Sequence, residues 1–160
     1  MRKEQLDHWA QYIENMTQTP QEFYAEIEQL IAYHEVPDVK IKRVKRFEKG
    51  LLSAKREYLQ ISGHNHFFDV CAAPFGRGFF VSYWQREDLT SRLKLISKIP
   101  LIGNFAANWK DSVTFYMADT QQMFVYLVHS CIITALDKEI KNKGLKALSD
   151  LQRQLPATQR

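Results

Sequence analysis

The sequence predicts an α+β domain: an antiparallel meander sheet of four to five strands packed against a long C-terminal helix, with two N-terminal helices. Three observations predict it. From Val39 the chain divides into short β-branched and aromatic segments, broken by turn residues at Lys49-Gly50, at Ser62-Gly63-His64-Asn65 and from Pro74 to Gly78. From Asp119 to Gly144 the pattern becomes helical and contains no Pro or Gly before its end. The 160 residues are 45% hydrophobic and 25% charged, the balance of one folded unit, and at this size ~70% of the unfolded surface can be buried without a disulfide or metal.

Leu6, Trp9, Ala10, Ile13 and Met16 recur at helical spacing against Glu4, Asp7, Gln11 and Glu14, which predicts a first amphipathic helix over 4–16. Thr19, Pro20 and Glu22 are a helix start, with a capping hydroxyl, a Pro at the first position and a Glu placed to complete a capping box. They predict a helix over 20–34 that buries Phe23, Ile27, Leu30 and Ile31 and ends before Pro37. Four strands follow, near 39–47, 53–61, 66–73 and 79–85; the third and fourth carry the strongest β propensity, in Phe67 to Ala72 and Phe79 to Trp84. Val113, Phe115 and Met117 alternate with Thr114 and Tyr116, predicting a fifth strand over 113–117. Asp119 is then an N-cap for a central helix over 119–143, with Leu127, Val128, Cys131 and Ala135 facing the sheet. Gly144 stops it behind Lys138, Lys141 and Lys143, and a last helix over 145–155 places Leu148 and Leu151 on one face.

The segment Phe68-Asp69-Val70-Cys71-Ala72-Ala73-Pro74-Phe75-Gly76, followed by Gly78-Phe79-Phe80, resembles a bacterial protein family of uncharacterised activity. Tyr116, Asp119, Thr120, Met123 and Phe124 are similar to the same family, as are Lys143-Gly144-Leu145 and Ala147-Leu148-Ser149. The resemblance covers roughly the last two thirds of the chain. It implies a bacterial origin and one fold unit, and it brings no activity, ligand or catalytic residue.

Two cysteines, Cys71 and Cys131, both in apolar stretches, fit reduced core thiols, and the expected location is the cytoplasm. The start of the chain lacks the apolar region of a secretory signal. The longest apolar run, Phe124 to Leu136, is interrupted by His129 and Ser130 and falls short of the ~20 residues that span a bilayer, so no transmembrane segment is expected.

Several residues invite a chemical reading. His64, His66 and Asp69 have a spacing that metal sites use, but Gly63-His64-Asn65 has the composition of a hairpin turn and further ligands are missing nearby, so no metal and no cofactor are expected. Cys71 or Cys131 with His8, His34 or His129 would make a thiol enzyme only if folding joined them, and no local motif supports it. Asp69 is a carboxylate in the most apolar strand; buried, it needs a partner, which Arg77 or Arg86 across the hairpin can supply. Pro74-Phe75-Gly76-Arg77-Gly78 matches no phosphate loop and reads as a hairpin in which Gly76 or Gly78 takes positive φ.

Two surfaces remain. Net charge is +4, and Lys40, Lys42, Arg43, Lys45, Arg46, Lys49, Lys55 and Arg56 face only Glu48. Such a run attracts nucleic-acid phosphates or anionic lipid, and it also protects an edge strand from aggregation. From Arg92 to Lys110 cations alternate with large apolar groups, including Leu101, Ile102, Phe105 and Trp109, as in a segment that meets a partner groove or a membrane surface. The leading expectation is a non-enzymatic binding or assembly module that uses Leu101, Ile102, Phe105 and Trp109 for protein partners, its own copies or a peripheral membrane contact. The alternative is a nucleic-acid-associated factor using Lys40, Lys42, Arg43, Lys45 and Arg46; an enzyme centred on Asp69, Cys71, His64 and His66 is third.

Overall fold

The computed structural model describes residues 4–47, 55–87 and 105–156, without the side chains of 4–6, 47, 55 and 105–114. Among these residues the elements run β1 (Glu4–Glu14), α1 (Pro20–Tyr33), β2 (Lys40–Phe47), β3 (Lys55–Gly63), β4 (His66–Phe75), β5 (Gly78–Glu87), α2 (Phe105–Asn142) and α3 (Asp150–Arg153). The strands form one antiparallel sheet in the order β1-β5-β4-β3-β2. The fold is therefore α+β with a long C-terminal helix, as expected, but it has one helix before the meander rather than two.

The expected helix over 4–16 is strand β1. Trp9 and Ile13, both buried, are four residues apart, a spacing that suits a helical turn and an alternating strand alike. Free β5 decides between them, because an uncovered edge offers a row of unpaired backbone groups, and β1 takes it from Asp7↔Gln85 to Glu14↔Gly78. The approach is close: a Cβ on Gly78 would stand 2.5 Å from the carbonyl oxygen of Ile13. Asn15, at φ 57°, turns the chain out of the strand, and its N–H donates to the carbonyl of Arg77 at 2.9 Å.

Helix α1 begins as the sequence requires, with the Thr19 side chain and Glu22 closing a reciprocal capping box and Pro20 in the first turn. The His64-Asn65 turn joins β3 to β4 with both residues at positive φ, 47° and 64°, the pattern of a type I′ hairpin. Between β4 and β5 it is Gly76 that takes positive φ, 57°.

The expected strand over 113–117 lies inside α2, and Asp119, expected to cap that helix, is in its interior. The β-rich composition of Val113 to Tyr116 yields to a continuous helix, in which the Thr120 hydroxyl donates back to the Tyr116 carbonyl at 2.9 Å. Gly144, at φ 62°, stops the helix region as expected. The final helix is shorter than expected, 150–153, capped by Ser149 with Gln152; Leu148 is buried while Leu151 is 79% exposed, so the two do not share a face.

Helices α1 and α2 cover one face of the sheet. Leu59, Ile61, Phe68, Val70, Phe79, Val81 and Tyr83 project into them and meet Phe23, Ile27, Phe124, Val128, Ile132 and Leu136. Of the four α2 residues expected to face the sheet, Val128, Cys131 and Ala135 are buried and Leu127 is partly buried. The Tyr24 hydroxyl completes the layer: it donates to the Glu57 carbonyl at 2.8 Å and accepts from the Ala72 N–H at 2.9 Å, bridging β3 and β4 just past their last paired residues, Tyr58 and Cys71. Among the described residues no helix is long and apolar enough to cross a membrane.

Candidate functional site

In an antiparallel sheet, directly paired residues project to the same side, so the register fixes what lies on the face away from the helices. Three rows cross it. Lys40, Ser62, Phe67 and Arg86 form the first; Lys42, Gln60, Asp69, Trp84 and His8 the second; Val44, Tyr58, Cys71, Ser82 and Ala10 the third. Beyond the third, where β3 and β4 are no longer paired, Arg46 faces Arg56 on one side, and Ala73, Phe80 and Tyr12 continue on the other. No described element packs over them, and Lys40, Lys42, Arg46, Arg56, Trp84 and Tyr12 are exposed.

Asp69 organises the middle of this face. It is only 7% exposed, and its carboxylate accepts from Arg46 at 3.0 Å, from Gln60 at 2.7 Å and from Arg86 at 2.5 Å. Of the two arginines expected as partners Arg86 is the one used; Arg77 stands in the exposed β4–β5 turn, and Arg46 comes from the far edge strand instead. Each guanidinium reaches Asp69 across an aromatic ring, Arg46 at 5.9 Å from the centre of Tyr58 and Arg86 at 5.7 Å from that of Phe67. Such a stack holds a flexible cation in place; the Arg46 side chain is about half exposed, whereas the Arg86 Nε is buried without a hydrogen-bond partner. Sequence reasoning missed Arg86, Arg56, Tyr58, Phe67 and Trp84 as one set, because they join only through the strand order.

The basic run divides by alternation. Lys40, Lys42 and Arg46 lie on the open face; Arg43 and Lys45 lie on the helix side, where Arg43 pairs with Glu28 at 3.0 Å. Arg56 and Arg86 replace them, so among the described residues five cations share the open face with Asp69 and, at its end, Glu14.

The other expected residues do not converge. Cys71 lies on the open face, 3% exposed, and burial pushes its thiol up, partly offset by Arg56 and a hydrogen bond with Tyr58. Cys131 sits in the core, where burial pushes its thiol up to about 11. His64 is in the turn with Nε2 at 3.1 Å from the Pro37 carbonyl, and His66 projects to the helix side, buried, with Nδ1 unpartnered. Burial lowers the His66 pKa against the opposing pull of Glu87 and Asp7. Asp69 and Cys71 are thus separated by the sheet from His66, and neither thiol has the electropositive, accessible setting of a nucleophile. His129 belongs to a structural clasp: its ring stands 2.8 Å from the Tyr83 hydroxyl and 2.6 Å from the Arg153 carbonyl, and Trp9 donates to the Gln152 carbonyl at 2.9 Å.

Of the residues expected to meet a partner, Leu101 and Ile102 lie outside the described residues, as do Lys49 and Glu48 of the basic run; Phe105 and Trp109 fall in the first two turns of α2. Further along that helix, Phe115, Tyr116, Met123 and Tyr126 are 57–74% exposed. At 3.6 residues per turn they share a sector of roughly 100°, opposite the face that packs on the sheet.

No family model and no curated protein matches the chain. Two solved structures overlap it loosely. TTHA0849 from Thermus thermophilus has 16% identity and a TM-score of 0.26, over 81% of this chain and 98% of its own. ChR145 from Cytophaga hutchinsonii has 13% identity and a TM-score of 0.29, over 78% of this chain and 99% of its own. Likeness at that level carries no argument about fold or function.

Proposed function

We propose that this protein is a nucleic-acid-associated factor that holds phosphates on the open face of its sheet. The observation that supports it is the arrangement of Arg46, Arg56, Arg86, Lys40 and Lys42 on one surface that no described element covers, with Asp69 holding two of the arginines stacked on Tyr58 and Phe67. An edge strand that only resisted aggregation would need Lys40 and Lys42 but not a buried carboxylate that gathers arginines from β2 and β5. The basic set differs from the one the sequence suggests: Arg43 and Lys45 drop out, and Arg56 and Arg86 enter.

Fluorescence anisotropy with labelled oligonucleotides at a series of salt concentrations tests it. The wild type binds at low salt and weakens steeply as salt rises, because each neutralised phosphate releases counterions. The combined Lys42→Ala, Arg46→Ala and Arg56→Ala variant loses most of that binding and has a shallower salt slope; equal binding by both proteins overturns the proposal.

A second reading, assembly with a protein partner, rests on the exposed α2 sector of Phe115, Tyr116, Met123 and Tyr126, with Asp119 among them. Large apolar groups gathered on one exposed helix face mark interaction surfaces. Sedimentation velocity of wild type and of the Tyr116→Ser, Met123→Ser variant tests for self-association, which the variant then lacks.

A further inference from the structure

The open face is chemically divided, and the division carries information that charge alone does not. On the β2–β3 side stand Lys40, Lys42, Arg46 and Arg56. On the β5–β1 side stand Trp84, Phe80, Tyr12 and His8, without a cation among the described open-face residues other than Arg86 in the first row. Trp84 is 41% and Tyr12 43% exposed, and the His8 ring lies stacked against Trp84 with centres 4.0 Å apart. Beside them Phe75, 69% exposed, meets the Tyr12 ring edge-on, and the Tyr12 hydroxyl donates to the Phe75 carbonyl at 3.0 Å. Two strand spacings, ~10 Å, separate the basic half from the aromatic one.

A duplex presents phosphates outward and keeps its bases stacked inside, so it can use the cations but has nothing to offer the exposed rings. A single strand offers both at once, with the backbone along one side of its track and unpaired bases along the other. Aromatic faces accept any base, which makes this a sequence-tolerant platform. Anionic lipid would also use cations, but it calls for apolar side chains free to enter the bilayer, whereas Trp84 is held on one face by the His8 ring and Tyr12 is tied by its hydroxyl to the Phe75 carbonyl. We infer that the ligand of the open face is a single-stranded nucleic acid, with its phosphates over β2 and β3 and its bases stacked on Trp84 and Tyr12. This rests on the phosphate-binding reading above and adds the strandedness and orientation of the ligand.

The experiment uses the full chain, a labelled single strand of about a dozen nucleotides, inside the ~4–16 that a small sheet domain covers, and a duplex of equal length. The wild type binds the single strand more tightly than the duplex. Trp84→Ala weakens the single strand by roughly fivefold or more, as loss of one stacked base requires, and leaves the duplex unchanged. Trp84→Phe, which keeps a ring, restores most of the single-strand affinity, and a thermal melt of each variant confirms that the fold is retained. Equal affinity for the two polymers, or a Trp84→Ala variant that binds the single strand like wild type, overturns the inference while the phosphate-binding reading stands. Failure of both polymers to bind at low salt removes both. Tighter binding to phosphatidylserine vesicles than to either polymer, lost in Trp84→Ala, also overturns it and assigns the face to membrane.

Discussion

Phe67 and Phe68 are neighbours in β4 and point to opposite sides of the sheet. Phe68 is completely buried against Tyr83 and Phe124, in a layer closed by α1 and α2. Phe67 is half-buried on the open side, beneath the Arg86 guanidinium. The same contrast holds through the middle of β4 and β5. There one face is apolar and covered, with Val70, Phe79, Val81 and Tyr83 fully buried; the other carries buried polar groups such as Asp69 and Ser82 among exposed rings and cations. Burial of apolar area stabilises the first face. On the second, burying a carboxylate gains little net stability even when it is paired, so its value lies in fixing where the arginines stand.

Shortening the two neighbours in turn is the most demanding trial of this contrast. Phe68→Ala is expected to cost about 3–5 kcal/mol, the usual cost of a cavity at a closed aromatic site, whereas Phe67→Ala, on a face that can readmit water, costs well under half of that. Urea denaturation of both variants checks it; equal losses would mean that the two faces are equally closed.

Asp69→Ala comes next. It leaves Arg86 and Gln60 without their acceptor in a half-buried setting, and an expected loss of about 1–3 kcal/mol allows for the solvent that reaches Arg46. Asp69→Asn keeps an acceptor oxygen and loses less stability, yet it frees the arginines, so its oligonucleotide binding should change more than its denaturation midpoint.

The buried histidines give a smaller effect with a definite sign. Burial lowers the pKa of His129 and of His66 in the folded state, below the ~6.5 of an unfolded chain. The unfolded chain therefore binds protons more readily, and stability present above pH ~6.5 is lost as the pH falls through that value toward the folded pKa. Denaturation midpoints should decline as the pH is lowered from about one unit above that value to about one unit below it, and His129→Gln should flatten that decline. A rise in midpoint on acidification would contradict the neutral, clasped imidazole.

The smallest expected effects lie at the rim. Arg56→Ala, at an exposed position, should move stability by no more than about 0.5 kcal/mol while weakening phosphate binding. Leu127→Ala, partly buried at the edge of the α2 contact, should cost less than Ile132→Ala in the middle of it.

Elements whose signals are local were legible without any knowledge of the fold. Thr19, Pro20 and Glu22 fix the start of α1 through caps that span one turn; His64-Asn65 and Gly76 fix two hairpins through left-handed backbone; alternation in β2 to β5 fixes which residues share a face. Asp69 and its need for a partner were equally legible, with Arg86 as one candidate. The rest depended on contacts between distant parts of the chain. Trp9 and Ile13 fit either period, and the unpaired edge of β5, roughly seventy residues away in the chain, makes 4–14 a strand. Val113 to Tyr116 have strand propensity and are helical because α2 runs through them. The open-face site depends on both kinds of information: alternation assigns each residue to a side, but placing Arg46, Arg86, Trp84 and Tyr12 on one surface requires the order β1-β5-β4-β3-β2, which is set by hydrogen bonding between strands and leaves no local mark in the sequence.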